Sequence, residues 1–162
     1  MKFKITSILL CGLFAVSAHS SVFNLTSTLD GTQSGTGSPG SGSATMSYDD
    51  VTNLFSWNIA WSGLTGTATV MHFHGPAAPG MNAGVQVDFG SISGTSSPSV
   101  GSTTISAGQA ADLLAGLWYI NIHSTAFLPG EIRGQVTAIP LPGAAWLLLS
   151  ALSGLGLWRR RT

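Results

Sequence analysis

The sequence predicts an all-β domain of antiparallel strands, flanked by a targeting segment at each end. Between residues 21 and 138, 17 Gly, 17 Ser and 14 Thr account for 48 of 118 residues. This composition favours short strands joined by tight turns over a helical bundle. Hydrophobic and polar residues alternate through most of that stretch, as they do in half-buried strands. Its length is enough for one hydrophobic core and too short for two.

Residues 1–20 have the pattern of a secretory signal peptide. Lys2 and Lys4 precede an apolar stretch over 5–16, and small residues up to Ser20 supply a cleavage site. The chain's single cysteine, Cys11, lies in this segment and is removed with it. The exported chain therefore has no cysteine, which excludes a Cys nucleophile and thiolate metal ligands.

The alternation predicts eight strands and one short helix in the middle of the chain. The capping box of Ser106 and Gln109 begins the helix, which extends over 110–115 and stops at Gly116. The strands are expected over 22–29, 44–48, 54–61, 69–74, 85–89, 103–105, 117–123 and 131–138. The second and third form a hairpin, and the whole predicts an antiparallel sandwich or barrel. The expected core residues are Phe55, Trp57, Trp61, Phe73, Trp118 and Ile120.

Residues 139–162 combine a proline-containing motif, an apolar stretch and a terminal Arg cluster. The motif is Pro140, Leu141, Pro142 and Gly143, and the cluster is Arg159, Arg160 and Arg161. Residues 141–158 carry no charge, and 18 residues is the lower limit for a membrane-spanning helix. The arginines that follow predict a cytoplasmic C-terminus.

This tail resembles the PEP-CTERM sorting signals of Gram-negative bacteria, in the variant that reads V-P-L-P-A followed by A-W-L-L-L. Ile139 and Gly143 stand where that variant has Val and Ala. The resemblance implies transient anchoring in the inner membrane and recognition by an exosortase-type membrane peptidase. It also implies cleavage near the motif and delivery to the cell surface or an exopolysaccharide matrix.

The charges exclude one class of function. Arg133 is the only basic residue between 21 and 138, where all six acidic residues lie, so this stretch has a net charge of −5. Nucleic-acid binding needs clustered Lys and Arg and is excluded.

Three histidines are candidate metal ligands. His72 and His74 are two apart on one predicted strand, so both point to the same face, and His123 has the corresponding position on another. If the two strands are neighbours the imidazoles converge, and neutral imidazole is a common ligand for Zn or Cu. Asp88 is the only acid that could add a fourth ligand. Alternatively, the histidines hydrogen-bond loop backbone and order the 75–84 turn.

Glu131 and Arg133 are likewise two apart, and a structural ion pair between them is expected. Alternatively, these side chains pair with the loop that carries His74, and Asp88 is another carboxylate that could pair with the arginine. A surface pair of little energetic weight is the other alternative. No complete set of catalytic residues is present.

Three sequence blocks resemble the signature blocks of the CHRD domain, the module first named in chordin. They lie at 72–77, 115–124 and 129–136, and the resemblance covers roughly 23–138. It implies an immunoglobulin-like β-barrel, a fold proposed for the family from limited similarity to Cu/Zn superoxide dismutases, and no settled activity. The family usually has an extra residue between the Pro and the Gly-Glu pair, whereas Pro129, Gly130 and Glu131 are contiguous here.

The leading hypothesis is an exported, exosortase-sorted protein whose CHRD domain (21–138) is non-catalytic and serves surface structure, adhesion or binding. The alternative is a metal-binding protein or dismutase-like metalloenzyme that uses the three histidines. A growth-factor antagonist like chordin is a third class and rests on analogy of fold alone.

Overall fold

The computed structural model describes residues 21–140. The predicted signal peptide and the predicted transmembrane helix, together with Leu141, Pro142, Gly143 and the Arg cluster, lie outside the described residues. Within the described range, no helix has both the length and the apolar character that crossing a membrane requires. Ile139 and Pro140 are exposed at the end of this range.

The described residues form nine strands and two short helices. These are β1 Val22–Asp30, β2 Ser41–Asp49, β3 Leu54–Ser62, β4 Ala68–His74, β5 Val85–Asp88, α1 Phe89–Ser93, β6 Ser99–Thr104, α2 Ala107–Leu114, β7 Tyr119–Ser124, β8 Ile132–Gln135 and β9 Thr137–Ala138. The strands form one antiparallel sheet in the order β5-β4-β7-β8-β1-β2-β3-β6, with β9 also paired to β1. The sheet curls into a half-barrel, which confirms the antiparallel all-β prediction.

The hairpin of β2 and β3 is confirmed, and its alternation builds one wall of the core. Met46 lies opposite Trp57, and both side chains face inward. The turn between the strands is fixed by Tyr48, whose hydroxyl donates to Oδ1 of Asn53 at 2.8 Å. Trp61, expected in the core, is only partly buried and packs against its margin.

The pair of β4 and β7 positions the candidate site, because its two faces have different chemistry. Met71 and Phe73 of β4 face the core and are fully buried, as are Ile120 and Ile122 of β7. Trp118, just before β7, is also fully buried and contacts the rings of Phe55 and Phe73. The predicted face assignment is therefore confirmed.

The opposite face of β7 is also largely buried, which the sequence did not predict. Tyr119 is 2% exposed and Asn121 8% exposed, although both point away from the core. Hydrogen bonds from His74 to Ala83 and from His123 to Leu128 tie this face to the loops over 75–84 and 125–130. The histidine face is thus a second, polar layer enclosed by loops.

Several predicted boundaries are wrong for local reasons. The strand predicted over 85–89 ends at Asp88, because that side chain accepts from the backbone N–H of Ser91 and caps α1. The capping box is confirmed, but α2 begins directly after Ser106 and ends at Leu114. β6 begins at Ser99 rather than at 103.

The strand predicted over 131–138 is divided in two. Val136, between β8 and β9, is fully buried, and its N–H donates to the carbonyl of Trp118 at 2.9 Å. β8 pairs with β7, and β9 pairs only with β1. β8 also pairs with β1, where Arg133 lies opposite Asp30, so β8 joins the two halves of the sheet.

Candidate metal centre

The three predicted histidines converge on the polar face. β4 supplies His72 and His74, β7 supplies His123, and the two strands are neighbours in the sheet. One ring nitrogen of each lies within 4.8 Å of those of the other two. The ring of His72 has its centroid 5.3 Å from those of both His74 and His123. All three side chains are partly buried, so the cluster lies in a recess.

Loop carbonyls fix the orientation of two of these rings. Nδ1 of His74 lies 2.9 Å from the carbonyl oxygen of Ala83, and Nδ1 of His123 lies 2.6 Å from that of Leu128. A carbonyl oxygen can only accept, so each Nδ1 carries the proton and each Nε2 keeps its lone pair. Metal-bound histidines in proteins are held in this way, by donation from the second nitrogen to a carbonyl or carboxylate.

Two ring nitrogens in the cluster are buried without a hydrogen-bond partner. They are Nδ1 of His72 and Nε2 of His74. Buried polar atoms nearly always have a partner, so two such atoms in one cluster need an explanation. A metal ion is the partner that suits a bare imidazole nitrogen.

Burial keeps two of the histidines neutral. The pKa of His72 is lowered from 6.5 by burial and then by the nearby His123, against an opposing effect of Asp88. The pKa of His74 is lowered chiefly by burial, which outweighs its hydrogen bond to Ala83. Because only the neutral ring has a lone pair to donate, both side chains are ligand-competent at neutral pH.

Asp88, the candidate fourth ligand, is engaged elsewhere. It lies directly opposite His72 in the sheet, but its carboxylate accepts from the N–H of Ser91 at 3.0 Å and from its hydroxyl at 2.6 Å. These bonds cap α1 and engage both carboxylate oxygens, and Asp88 is not part of the cluster of converging ligand atoms. The described residues therefore offer three protein ligands, an arrangement that leaves one position of a tetrahedral site for water or another small ligand.

The comparisons with known proteins assign the chain to a family. The family model for the CHRD domain matches residues 25–136. The chain belongs to the CHRD-domain family. No curated protein and no solved structure matches the chain.

The match confirms the CHRD part of the expected resemblance. It extends from β1 through β8 to Val136, so it includes the three histidines, Glu131 and Arg133. The sorting-signal resemblance falls almost wholly beyond the described residues and stays a prediction.

The prediction of an ion pair between Glu131 and Arg133 is wrong: within the described residues, each of the two side chains binds other partners. Glu131 lies before β8, after the left-handed Gly130 (φ 126°), so strand alternation does not apply to it. Its carboxylate accepts from the hydroxyl of Ser38 at 2.6 Å and from the N–H and hydroxyl of Thr65 at 2.6 and 2.9 Å. It is fully buried.

Glu131 is a structural anchor, and its charge is stabilised by these donors. Burial alone would raise the pKa of Glu131, but the hydroxyls of Ser124 and Ser38 and the N–H and hydroxyl of Thr65 lower it from 4.5 to about 2. Its backbone carbonyl also accepts from the hydroxyls of Ser34 and Thr36. One residue thus holds the 31–40 loop and the segment at Thr65 against the end of β8.

Arg133 lies on the polar face and contacts Tyr119. Its guanidinium carbon is 3.4 Å from the centre of the Tyr119 ring, within the range of a cation–π contact. The same ring stacks on His74, with centroids 4.9 Å apart and planes 6° from parallel. β4 and β8 flank β7, so His74 and Arg133 contact Tyr119 from its two sides.

Sequence reasoning missed the role of Asn121 in the site. Its Nδ2 lies 3.2 Å from Nε2 of His123 and donates to the carbonyl of Pro129 at 3.1 Å. Since Nδ1 of His123 holds the proton, Nε2 accepts from Asn121, and a metal ion at that nitrogen must displace the amide. The only signal was its position two residues from His123 on the same face.

Proposed function

We propose that the CHRD domain of this protein is a metal-binding module that holds a Zn or Cu ion through His72, His74 and His123. The observation that carries the proposal is the convergence of three ring nitrogens within 4.8 Å of one another. Two of the rings are already fixed in the tautomer that a metal needs, by donation to Ala83 and Leu128. Two nitrogens of the cluster have no other partner.

The ligand chemistry selects the metal. A set of imidazoles alone suits Zn and Cu, whereas Mg and Ca prefer carboxylate, carbonyl and water oxygens. The nearest carboxylate, that of Asp88, is directed to Ser91 and adds no negative charge to the ligand set.

We assign the metal a structural rather than a catalytic role. The ion would join β4 to β7, and through Ala83 and Leu128 it would also tie down the two loops that cover the polar face. Beside the histidines, Asp88 is committed to capping α1, and Asn121 cannot exchange protons. The bound ion would stabilise the folded state because the unfolded chain lacks the assembled site.

A dismutase-like metalloenzyme is the second candidate, and the open ligand position favours it. Three protein ligands with one exchangeable position are the arrangement of catalytic rather than structural zinc sites. Superoxide-dismuting activity of the copper-loaded protein, lost in a His74→Ala variant, would support this candidate. A structural site predicts no such activity.

Metal analysis of the purified protein tests the proposal. The wild type should bind one equivalent of Zn or Cu after dialysis against metal-free buffer, and His72→Ala should bind less than a tenth of that. Asp88→Asn is the matched control: it removes a carboxylate next to His72, yet it should leave the stoichiometry unchanged. No retained metal in the wild type, or equal retention in His72→Ala, contradicts the proposal.

We further propose that the protein is exported and sorted by its tail. The support is the signal-peptide pattern of residues 1–20 and the motif, apolar stretch and Arg cluster of residues 139–162. The protein would be anchored briefly in the inner membrane, cleaved by an exosortase-type peptidase, and delivered to the cell surface or an exopolysaccharide matrix. There the acidic, Ser- and Thr-rich CHRD domain would serve structure, adhesion or binding.

Cell fractionation tests the sorting. The full chain should lose its tail and reach the surface, whereas a variant that lacks residues 139–162 should be secreted without surface retention. A variant with Arg159, Arg160 and Arg161 changed to Gln keeps the apolar stretch and should accumulate uncleaved. If all three proteins reach the same compartment in the same form, the sorting proposal is wrong.

A further inference from the structure

A polar cavity of about 290 Å³ lies beside the histidine cluster and is not part of it. Its lining residues include five with polar or charged side chains and one aromatic residue: Ser34, Thr36, Asn82, Asn121, Arg133 and Phe127. No acidic side chain is among the lining residues. The volume is at the lower end of ligand sites, which begin at roughly 300 Å³, and so suits a molecule of about one sugar ring or smaller.

Arg133 is a buried cation. Within the described residues, no acidic group forms an ion pair with it. Its side chain is 7% exposed, and it is the only basic residue between 21 and 138. Its two hydrogen bonds go to neutral acceptors, Oδ1 of Asn82 at 2.9 Å and the carbonyl of Met81. Buried charges are normally paired, so this arrangement lacks a negative partner.

The guanidinium has donors to spare for such a partner. A guanidinium has five N–H groups, and these two hydrogen bonds leave three of them without a protein acceptor within the described residues. The cation–π contact with Tyr119 fixes the position of the group. Asn82 is exposed, and because its oxygen accepts from Arg133, its Nδ2 is available as a further donor.

We propose that this cavity binds a carboxylate-bearing ligand, with the carboxylate paired to Arg133 and assisted by Asn82. A planar, rigid guanidinium matches a carboxylate with two parallel hydrogen bonds. One cation balances one negative charge, so a monoanion fits better than a phosphate with nearly two, in a domain whose net charge is −5. The ring of Phe127 lies beside the body of the ligand.

The carboxylate has two possible sources with the same chemistry, a free small organic acid or the uronic-acid unit of an acidic polysaccharide. The proposal does not depend on a bound metal, because the cavity is lined by Arg133 and Asn82 rather than by the histidines. Asn121 adjoins both sites, since its amide contacts His123 and also lines the cavity, so carboxylate binding is measured on the metal-free protein, where the two proposals can fail separately.

The test is a titration of the purified full chain with sodium galacturonate, galactose and sodium acetate. Binding is measured by isothermal calorimetry or from the NMR signal of the Arg133 Nε–H. The buffer is freed of metal by resin, since soluble chelators are themselves carboxylates. Galacturonate and acetate should bind saturably and galactose should not. An oligogalacturonate arm distinguishes the sources: binding of the oligomer indicates the polysaccharide, and exclusion of the oligomer with binding of the monomer indicates a free acid.

Two variants connect the binding to the cavity. Arg133→Met, which keeps the length and loses the charge, should weaken galacturonate binding at least tenfold, and Asn82→Ala, at an exposed position, two- to fivefold. Asp50→Asn, remote and exposed, is the control and should bind as the wild type does. If Arg133→Met does not fold, Asn82→Ala still decides. The proposal is overturned if the wild type shows no saturable binding of either carboxylate, if galactose binds as well as galacturonate, or if Asn82→Ala binds galacturonate unchanged.

Discussion

Replacing Glu131 by Gln removes the charge of the anchor while keeping its size. In the folded protein, the hydroxyls of Ser38 and Thr65 and the N–H of Thr65 donate to this fully buried carboxylate. A pKa of about 2 in place of the ordinary 4.5 corresponds to an upper limit of about 3 to 4 kcal/mol of stability, at roughly 1.4 kcal/mol for each pH unit. We expect Glu131→Gln to lower the free energy of unfolding by about 1 to 3 kcal/mol at pH 7.

The effect should depend on pH in a defined direction. A carboxyl whose folded pKa is depressed stabilises the fold fully above its unfolded pKa, and loses that contribution as the pH falls through the folded value. The wild type should therefore lose its advantage over Glu131→Gln progressively between about pH 5 and pH 2.

Urea unfolding at pH 7, 5, 4 and 3, followed by tryptophan fluorescence, measures the difference. Asp50→Asn is the control, because it removes the same charge from an exposed position. A difference between wild type and Glu131→Gln below about 0.5 kcal/mol at pH 7, or one that stays constant from pH 7 to 3, would refute the anchoring role.

Three further predictions follow from burial and backbone geometry. Trp118→Ala should cost about 3 to 5 kcal/mol in urea unfolding, because this fully buried ring packs on Phe55 and Phe73, and a loss below about 1 kcal/mol would contradict that packing. Gly130→Ala should lower the free energy of unfolding by more than about 1 kcal/mol, because φ is 126° and an added Cβ would collide with Oδ1 of Asn121. Gly84→Ala is the control: the space around this residue is open, so the free energy of unfolding should change by less than about 0.5 kcal/mol. In the metal-free protein, NMR titration should give His72 and His74 pKa values below 6.5, and values above 6.5 would contradict burial as the cause. The free energy of unfolding should fall as the pH drops below 6.5, because the unfolded chain binds those protons more tightly than the folded protein does.

The alternation of apolar and polar residues correctly predicted which side chains of β4 face the core and which face the candidate site. The two-residue period is a property of any strand, so it placed Met71 and Phe73 on one face and the two histidines on the other without knowledge of the fold. The capping box at Ser106 was equally readable because it is a local pattern. His123 lies close to the other two histidines only because β4 and β7 are neighbours in the sheet. The sequence alone did not show that these two strands pair.

The remaining features depend on contacts between distant parts of the chain. Glu131 binds Ser38 and Thr65, which are 93 and 66 residues away, and no local pattern connects them. Arg133 hydrogen-bonds Asn82 and Met81 in the loop after His74, which is one of the partners that the sequence left open but could not choose between. The prediction that the strand continues through Asp88 to Phe89 was wrong for a local reason. The serine three residues after Asp88 is a signal that Asp88 caps a helix, but the apolar Phe89 favoured a longer strand.

X-ray absorption at the zinc edge, on the full chain loaded with one equivalent of Zn, tests the central claim most directly. The structure predicts three imidazole nitrogens at about 2.0 to 2.1 Å, with the fourth position filled by one oxygen or nitrogen from solvent. A spectrum with one imidazole or none, or with the same three-imidazole shell in a His123→Ala variant, would contradict the assignment of His72, His74 and His123 as the metal ligands.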